Sequence, residues 1–232
     1  MAGKVPELWN AVTGEHRFLD DYTPAGESVV VPLSFDPCGS WFVVFQKPTA
    51  LQSRGGGQMG NFPEPTPFQK LSGPWTVSFD PKWGGPASAE FDELASWPTR
   101  PEPGIKFYSG TATYTKTFYL ADPKPETRKP NLILDLGNVR ELAEVKVNGK
   151  SCGIVWTPPF RVDVTDAVKP GANRLEIKVV NFWPNRVIGD AGLPPEQRLT
   201  RTNVRKLTKN TALMESGLLG PVTLQTVHSP AN

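Results

Sequence analysis

Apolar and polar residues alternate with a period of two along much of this chain, the mark of strands with one buried face. Residues 29–35 and 40–45 are two such runs, divided by Asp36-Pro37-Cys38-Gly39, a turn composition. They predict a hairpin, and Leu8-Trp9-Asn10-Ala11-Val12-Thr13-Gly14 predicts one more short strand and turn before it. The expectation is the end of a sheet whose earlier strands are missing. Farther on, Trp75, Val77 and Phe79 alternate with Thr76 and Ser78. Residues 111–120 put Ala112, Tyr114, Lys116, Phe118 and Leu120 on one side and threonines on the other. Lys116 in that row predicts a sheet edge or a strand end. Leu132, Leu134 and Leu136 mark another strand. Residues 144–147 run into Asn148-Gly149, the pair best suited to the positive φ angles of a two-residue hairpin turn. Residues 154–156 return from it and Pro158-Pro159 ends the run. Leu175, Ile177 and Val179 alternate with Glu176 and Lys178, and Val222, Leu224 and Thr226 close the series. Only residues 89–96 and 165–168 look helical. Short strands at this spacing predict an all-β sandwich or barrel.

Between the two β regions the character changes. Arg54-Gly55-Gly56-Gly57 is flexible and Pro63-Glu64-Pro65-Thr66-Pro67 is stiff, which together predict a linker. The expected organisation is therefore a partial β segment over 1–47, a linker over 48–67, a main β domain over 68–228 and a tail over 229–232.

Composition agrees with a chain that turns often, with 25 Pro and 21 Gly in 232 residues. A formal charge of +2 supplies no global pull toward nucleic acid or an anionic membrane. The basic residues Arg198, Arg201, Arg205, Lys206 and Lys209 are interleaved with Thr and Asn, which fits a solvated or interdomain face rather than a nucleic-acid site. No run of about 18 apolar residues exists to cross a membrane, and the first residues carry no apolar stretch of a signal peptide. Cys38 and Cys152 stand in no metal-binding spacing and are expected to be two buried free thiols. Gly55-Gly56-Gly57 and Gly84-Gly85 lack the context of phosphate or dinucleotide loops and read as turns.

The seven tryptophans can serve a sandwich core or flat platforms for sugar rings. Trp41 and Trp75 lie in alternating strands and are expected in the core. Residues 181–190 are predicted to be a loop, with Trp183, Asn185, Arg186 and Asp190 crowded together. Sugar sites use this mix, an aromatic face against ring C–H groups and amide, guanidinium and carboxylate against hydroxyls. The same residues also fit an internal Arg186–Asp190 pair pinning the loop, with Trp183 as its anchor. Trp156 with Phe160 is a second aromatic cluster, either platform or packing, and Tyr108 and Trp83 lie in loop-like surroundings. A glycosidase needs two carboxyl groups about 5 to 10 Å apart. Asp92 and Glu93 are adjacent in sequence, Asp163 and Asp166 fit a capping turn, and Asp190 with Glu196 is the pair left for that work. His16 and His228 sit in no Ser/His/Asp arrangement.

Several segments together resemble known carbohydrate-active enzymes. Residues 108–118, then Val147-Asn148-Gly149-Lys150-Ser151-Cys152-Gly153, Pro159-Phe160-Arg161-Val162-Asp163-Val164-Thr165 and residues 169–181 resemble the sugar-binding jelly-roll domain of family 2 glycoside hydrolases. Trp156-Thr157-Pro158-Pro159-Phe160, residues 181–190 and Ser216-Gly217-Leu218-Leu219-Gly220-Pro221-Val222 resemble more closely the C-terminal region of family 106 α-L-rhamnosidases. The resemblance implies an antiparallel, galactose-binding-like jelly-roll β-sandwich, with the catalytic domain of the parent enzyme upstream and a secreted or periplasmic bacterial parent. It also implies that no cofactor is required, although structural calcium is common in the fold. The function expected is a monomeric, non-catalytic carbohydrate-binding module, with Trp183, Asn185, Arg186, Asp190, Trp156 and Tyr108 as its sugar contacts. The alternatives are a structural domain bracing a rhamnosidase-like catalytic domain, and a small glycosidase in its own right.

Overall fold

A computed structural model describes residues 4–46, 60–121, 131–203 and 206–227. The chain divides into two compact units, one of residues 1–66 with 227–232 and the other of residues 67–226. The Gly-rich part of the expected linker, the tail, Arg205 and His228 lie outside the described residues.

In the first unit, β1 (Glu7–Asn10) lies between β2 (His16–Phe18) and β5 (Trp41–Val44), both antiparallel to it. The Asn10 side chain accepts from Val12 N and Thr13 N at 2.8 and 3.2 Å, which closes the turn into β2. A separate hairpin joins β3 (Thr23–Ala25) to β4 (Ser28–Val30). Three expectations are corrected here. Residues 29–35 and 40–45 do not pair with each other, because β4 turns back on β3 and β5 takes β1 as its partner. Within this unit β1 pairs with β2 and β5, and β3 with β4. Cys38 is exposed, at a φ of 63°, and Cys152 is half-buried, so both are free thiols but neither is buried. Trp41 is half-buried, not core, with its indole donating to Ser34 O.

The second unit is a sandwich. Its larger sheet runs in the order β13 (Lys150–Val155), β12 (Leu142–Val147), β15 (Gly171–Val180), β9 (Thr111–Leu120), β7 (Trp75–Ser78) and β8 (Ala89–Phe91), every pair antiparallel. The smaller sheet is β14 (Arg161–Asp163), β10 (Asn131–Asp135), β17 (Thr223–Val227) and β6 (Thr66–Lys70). A two-stranded ladder of β11 (Asn138–Arg140) and β16 (Gly217–Gly220) completes it. Alternation aims Val77, Tyr114, Val145, Leu175 and Ile177 from one sheet and Leu134, Val162 and Leu224 from the other into a common core. The outward row of β9 is threonine, and that of β12 and β15 is charged, with Glu144 bridging Lys146 and Lys178 at 3.2 and 3.5 Å. The fold is an antiparallel, all-β sandwich.

The local signals explain these elements. Asn148 and Gly149 take φ of 52° and 81° between β12 and β13, as the hairpin turn requires. The amide of Asn148 also donates to Ala167 O and to Asn173 Oδ1, which ties the turn to its neighbours. β7 pairs with β9 only from Thr113 to Thr115, so β9 lacks that neighbour where Lys116 stands. There the ammonium donates to Gly73 O and Pro74 O and lies 5.3 Å from the centre of the Trp75 ring. The helical expectation for residues 89–96 is corrected, since Ala89–Phe91 pairs with β7 as an edge strand. Residues 165–168 form only a turn, with Asp163 Oδ1 accepting from Thr165 N at 2.8 Å.

Candidate functional site

One end of the sandwich carries most of the chemistry-bearing residues, and an aromatic knot supports it. Phe79 packs against Trp97 and Tyr108 with ring centres 5.5 and 4.9 Å apart. The Trp97 indole donates to Tyr114 Oη at 2.6 Å, and that oxygen also accepts from Leu218 N at 3.1 Å. Burial pushes the Tyr114 phenol up to about 12, a rise its two donors only partly offset. Tyr108 belongs to this knot. It is fully buried, its hydroxyl donates to Thr111 O and accepts from Asp80 N, and no face of it is open to a ligand. Its placement as a loop-edge sugar contact is therefore corrected.

Residues 181–190 are not a loop. Pro184 begins an eight-residue helix, α2 (Pro184–Ala191), at the first position, where proline costs no hydrogen bond. The helix buries Asn185, Arg186, Val187, Ile188 and Asp190. Four-residue spacing sets Arg186 and Asp190 on one face, with Nη2 2.9 Å from Oδ1 and side chains only 8% and 3% exposed. Asp190 Oδ2 accepts from both Thr200 N and Thr200 Oγ1, at 2.7 and 2.6 Å. Asn185 donates to Met214 O and Ser216 Oγ while its carbonyl accepts from Met214 N. Asn181 joins Gly110, Tyr108 and Ser216 in the same way. These amide and carboxylate groups are consumed in holding Thr200, Met214 and Ser216. The structure thus has the internal Arg186–Asp190 pair, and Asn185, Arg186 and Asp190 are buried and face the interior rather than solvent, where Thr200, Met214 and Ser216 meet Asp190 and Asn185.

The aromatic candidates separate from the polar ones. Trp183, just before the helix, is 53% exposed, and Trp156 is 59% exposed while Phe160 is buried. Leu142 pairs with Val180 across β12 and β15, and Ile154 with Glu144. Ile154, Phe182 and Val180 are all exposed.

A cleft of about 480 Å³ opens between β8 and the segment from residue 100 to α1 (Pro103–Lys106). Glu90, Arg100 and Glu102 line it, over a floor that includes the fully buried Ile105. Two close approaches shape it. A Cβ on Gly104 would lie 2.4 Å from Gly84 O, and one on Gly85 would lie 2.5 Å from Phe79 Cβ. Arg100 is held on two sides. Its Nε and Nη2 donate to the two Glu102 oxygens at 3.1 and 2.6 Å, and its Cζ lies 4.4 Å from the centre of the Phe91 ring. Glu90 Oε1 accepts from Thr76 Oγ1 at 2.8 Å. Trp83, next in sequence to Gly84 of the cleft wall, is 47% exposed. Sequence reading missed this cleft. Its polar residues sit singly on separate elements, and only Trp83 gave a signal near it.

The remaining carboxylates are dispersed. Asp190 is buried and bonded as above, and Glu196 stands exposed on a separate 3₁₀ turn, Pro195–Gln197. Among the described residues no three His, Cys, Asp or Glu side chains converge, so no side-chain cluster fits the calcium ion considered above. His16 stacks near Trp9, with ring centres 5.3 Å apart.

Comparison with known proteins places this fold. Residues 105–210 match the family described as "Glycosyl hydrolase 2 galactose-binding domain-like". A protein named "Putative beta-glucuronidase" from Formosa agariphila is 41% identical over 175 residues, which is 66% of this chain and 15% of that protein. The solved structure of a rhamnosidase from Novosphingobium sp. PP1Y is 38% identical and superposes with a TM-score of 0.87, over 97% of this chain and 21% of that one. The chain thus spans about a fifth or less of the length of either relative. Residues 105–210 of its β-sandwich are similar to the galactose-binding-like domains of glycoside hydrolases.

Proposed function

We propose that the domain is a non-catalytic, sugar-binding accessory module of an α-L-rhamnosidase-like glycoside hydrolase of family 106, and that it takes carbohydrate in the cleft lined by Glu90, Arg100 and Glu102. One observation carries this reading. An arginine and two carboxylates line one open concavity, at a volume ordinary for small-ligand sites. The likeness to a rhamnosidase over nearly the whole chain supports the identity of the parent. Asp190, buried and ion-paired with Arg186, and Glu196, exposed on a 3₁₀ turn, support a module without an acid–base pair of its own.

The test is a calorimetric or tryptophan-fluorescence titration of the chain with rhamnose- and galactose-containing oligosaccharides. Binding in the high-micromolar to millimolar range is expected, since shallow, wet sites retain little free energy after desolvation. Silence across the panel would sink the reading. Turnover of an aryl rhamnoside or aryl glucuronide, lost in Asp190→Asn or Glu196→Gln, would overturn the non-catalytic part.

A second reading, a brace for the catalytic domain, is favoured by the exposed Ile154, Trp156, Val180, Phe182 and Trp183. Under it, Trp156→Ala with Phe182→Ala weakens association with a rhamnosidase-like catalytic domain and leaves sugar titrations unaltered.

A further inference from the structure

The charge and donor geometry of the cleft discriminate among sugars. Its ionisable lining is Glu90, Arg100 and Glu102, two carboxylates against one guanidinium. Glu102 already neutralises Arg100, so a ligand meets one unopposed negative charge. Arg100 spends two of its five N–H groups on Glu102 and is fixed in plane by the Phe91 ring. The remaining N–H groups form a rigid edge able to donate to two neighbouring hydroxyl oxygens at once. Glu90 has one oxygen engaged by Thr76 and the other left to accept from a hydroxyl. The hydrogen bond from Arg100 is the main reason that the Glu102 carboxyl titrates below its usual range, which keeps it an acceptor in mildly acidic water.

From this we infer that the cleft selects a neutral pyranose with two adjacent free hydroxyls over a uronic acid, with Arg100 as the oriented donor and Glu90 as the hydroxyl acceptor. The inference rests on the sugar-binding reading and adds the ligand class to it. A carboxylated sugar would bring its charge close to Glu90 and Glu102, and Arg100, the one cation among the residues that line the cleft, is already paired with Glu102. At contact distance in a wet site that repulsion is worth about a fivefold loss of affinity, and salt shrinks it.

The experiment compares methyl α-L-rhamnoside, methyl β-D-galactoside and methyl β-D-glucuronide by NMR titration of the folded chain, at low salt and at high salt. A neutral glycoside is expected to bind about five times more tightly than the glucuronide at low salt, with the gap narrowing at high salt. Arg100→Lys, which keeps the charge but not the forked donor, weakens the neutral glycoside by about tenfold. Glu90→Gln, an exposed and nearly isosteric change, narrows the gap between neutral and charged ligands. Melting curves confirm that both variants fold. Glucuronide binding equal to or tighter than that of the neutral sugars overturns the selectivity. Neutral binding untouched by Arg100→Lys and by Glu90→Gln but lost in Trp183→Ala moves the site to the aromatic surface and overturns the inference alone. Silence with every glycoside overturns the sugar-binding reading itself.

Discussion

Replacing Asp190 with alanine removes the acceptor that holds Thr200 and leaves the Arg186 guanidinium buried without its counter-ion. Both side chains of the pair are less than a tenth exposed. Breaking such a pair from one side costs roughly 3–5 kcal/mol, because the stranded charge has no water to turn to. The two short bonds from Thr200 would add about 1 kcal/mol each if independent. They share one oxygen and one neighbour, so the terms do not sum fully. A loss of about 4 kcal/mol is expected, a large share of the 5–15 kcal/mol typical of a domain. Urea unfolding followed by tryptophan emission measures it, since the second unit holds Trp75, Trp83, Trp97, Trp156 and Trp183. The double variant Arg186→Met with Asp190→Leu separates charge from packing. With both charges gone and volume roughly kept, it should recover most of the loss, to within about 2 kcal/mol of the parent. If Asp190→Ala costs under about 1 kcal/mol, the pair is not a scaffold. If the double variant is no better than the single one, a stranded charge is not the cause.

Four other outcomes follow for Tyr114, Gly104 and the thiols. Tyr114→Phe strips the acceptor from Trp97 Nε1 and Leu218 N, and two buried donors left unpaired should cost roughly 2–4 kcal/mol in a thermal or urea melt. The Tyr114 phenol, raised to about 12, favours the folded state fully below pH 10, and that contribution is lost as pH rises from 10 through 12. Phenolate absorbance should show buried tyrosine, Tyr114 among it, that ionises only as the protein unfolds. Gly104→Ala forces a methyl group against Gly84 O, so it should cost about 1–3 kcal/mol and weaken sugar binding together, read by melting and by titration. A thiol-reactive dye near pH 8 should label exposed Cys38 before Cys152, whose thiol burial pushes upward. Equal rates would refute this.

How far the sequence carried depends on the range of the forces involved. Period-two alternation reports only whether a side chain faces in or out, and it located Trp75–Ser78, Thr111–Leu120 and Gly171–Val180 well. Asn148-Gly149 was legible because positive φ at both turn positions is a local demand. Pairing is not local. The run at residues 40–45 looked like the partner of residues 29–35, yet it crosses to Glu7–Asn10, and no residue within either run states that choice. Lys116 does not mark a sheet edge, since β9 lies between β15 and β7, but it stands just past the β7 pairing, where Gly73 O and Pro74 O accept from its ammonium.

The segment from Asn181 to Asp190 shows the same limit for chemistry. A tryptophan, an asparagine, an arginine and an aspartate within eight positions suit a sugar hydroxyl network, and equally the interior network that the fold builds. Both uses require the same donors and acceptors, so composition cannot separate them. Separation comes from residues far along the chain. Thr200, Met214 and Ser216 arrive to satisfy Asp190 and Asn185, and they leave only Trp183 facing water. The converse holds for the cleft. Glu90, Arg100 and Glu102 give no compact motif, since β8 brings one and the approach to α1 brings the other two. Their partners, Thr76 and Phe91, leave donors and acceptors to spare. A polar residue is available to a ligand only to the extent that the fold does not spend it, and by that measure Arg100 and Glu90 are the groups on which sugar binding should depend.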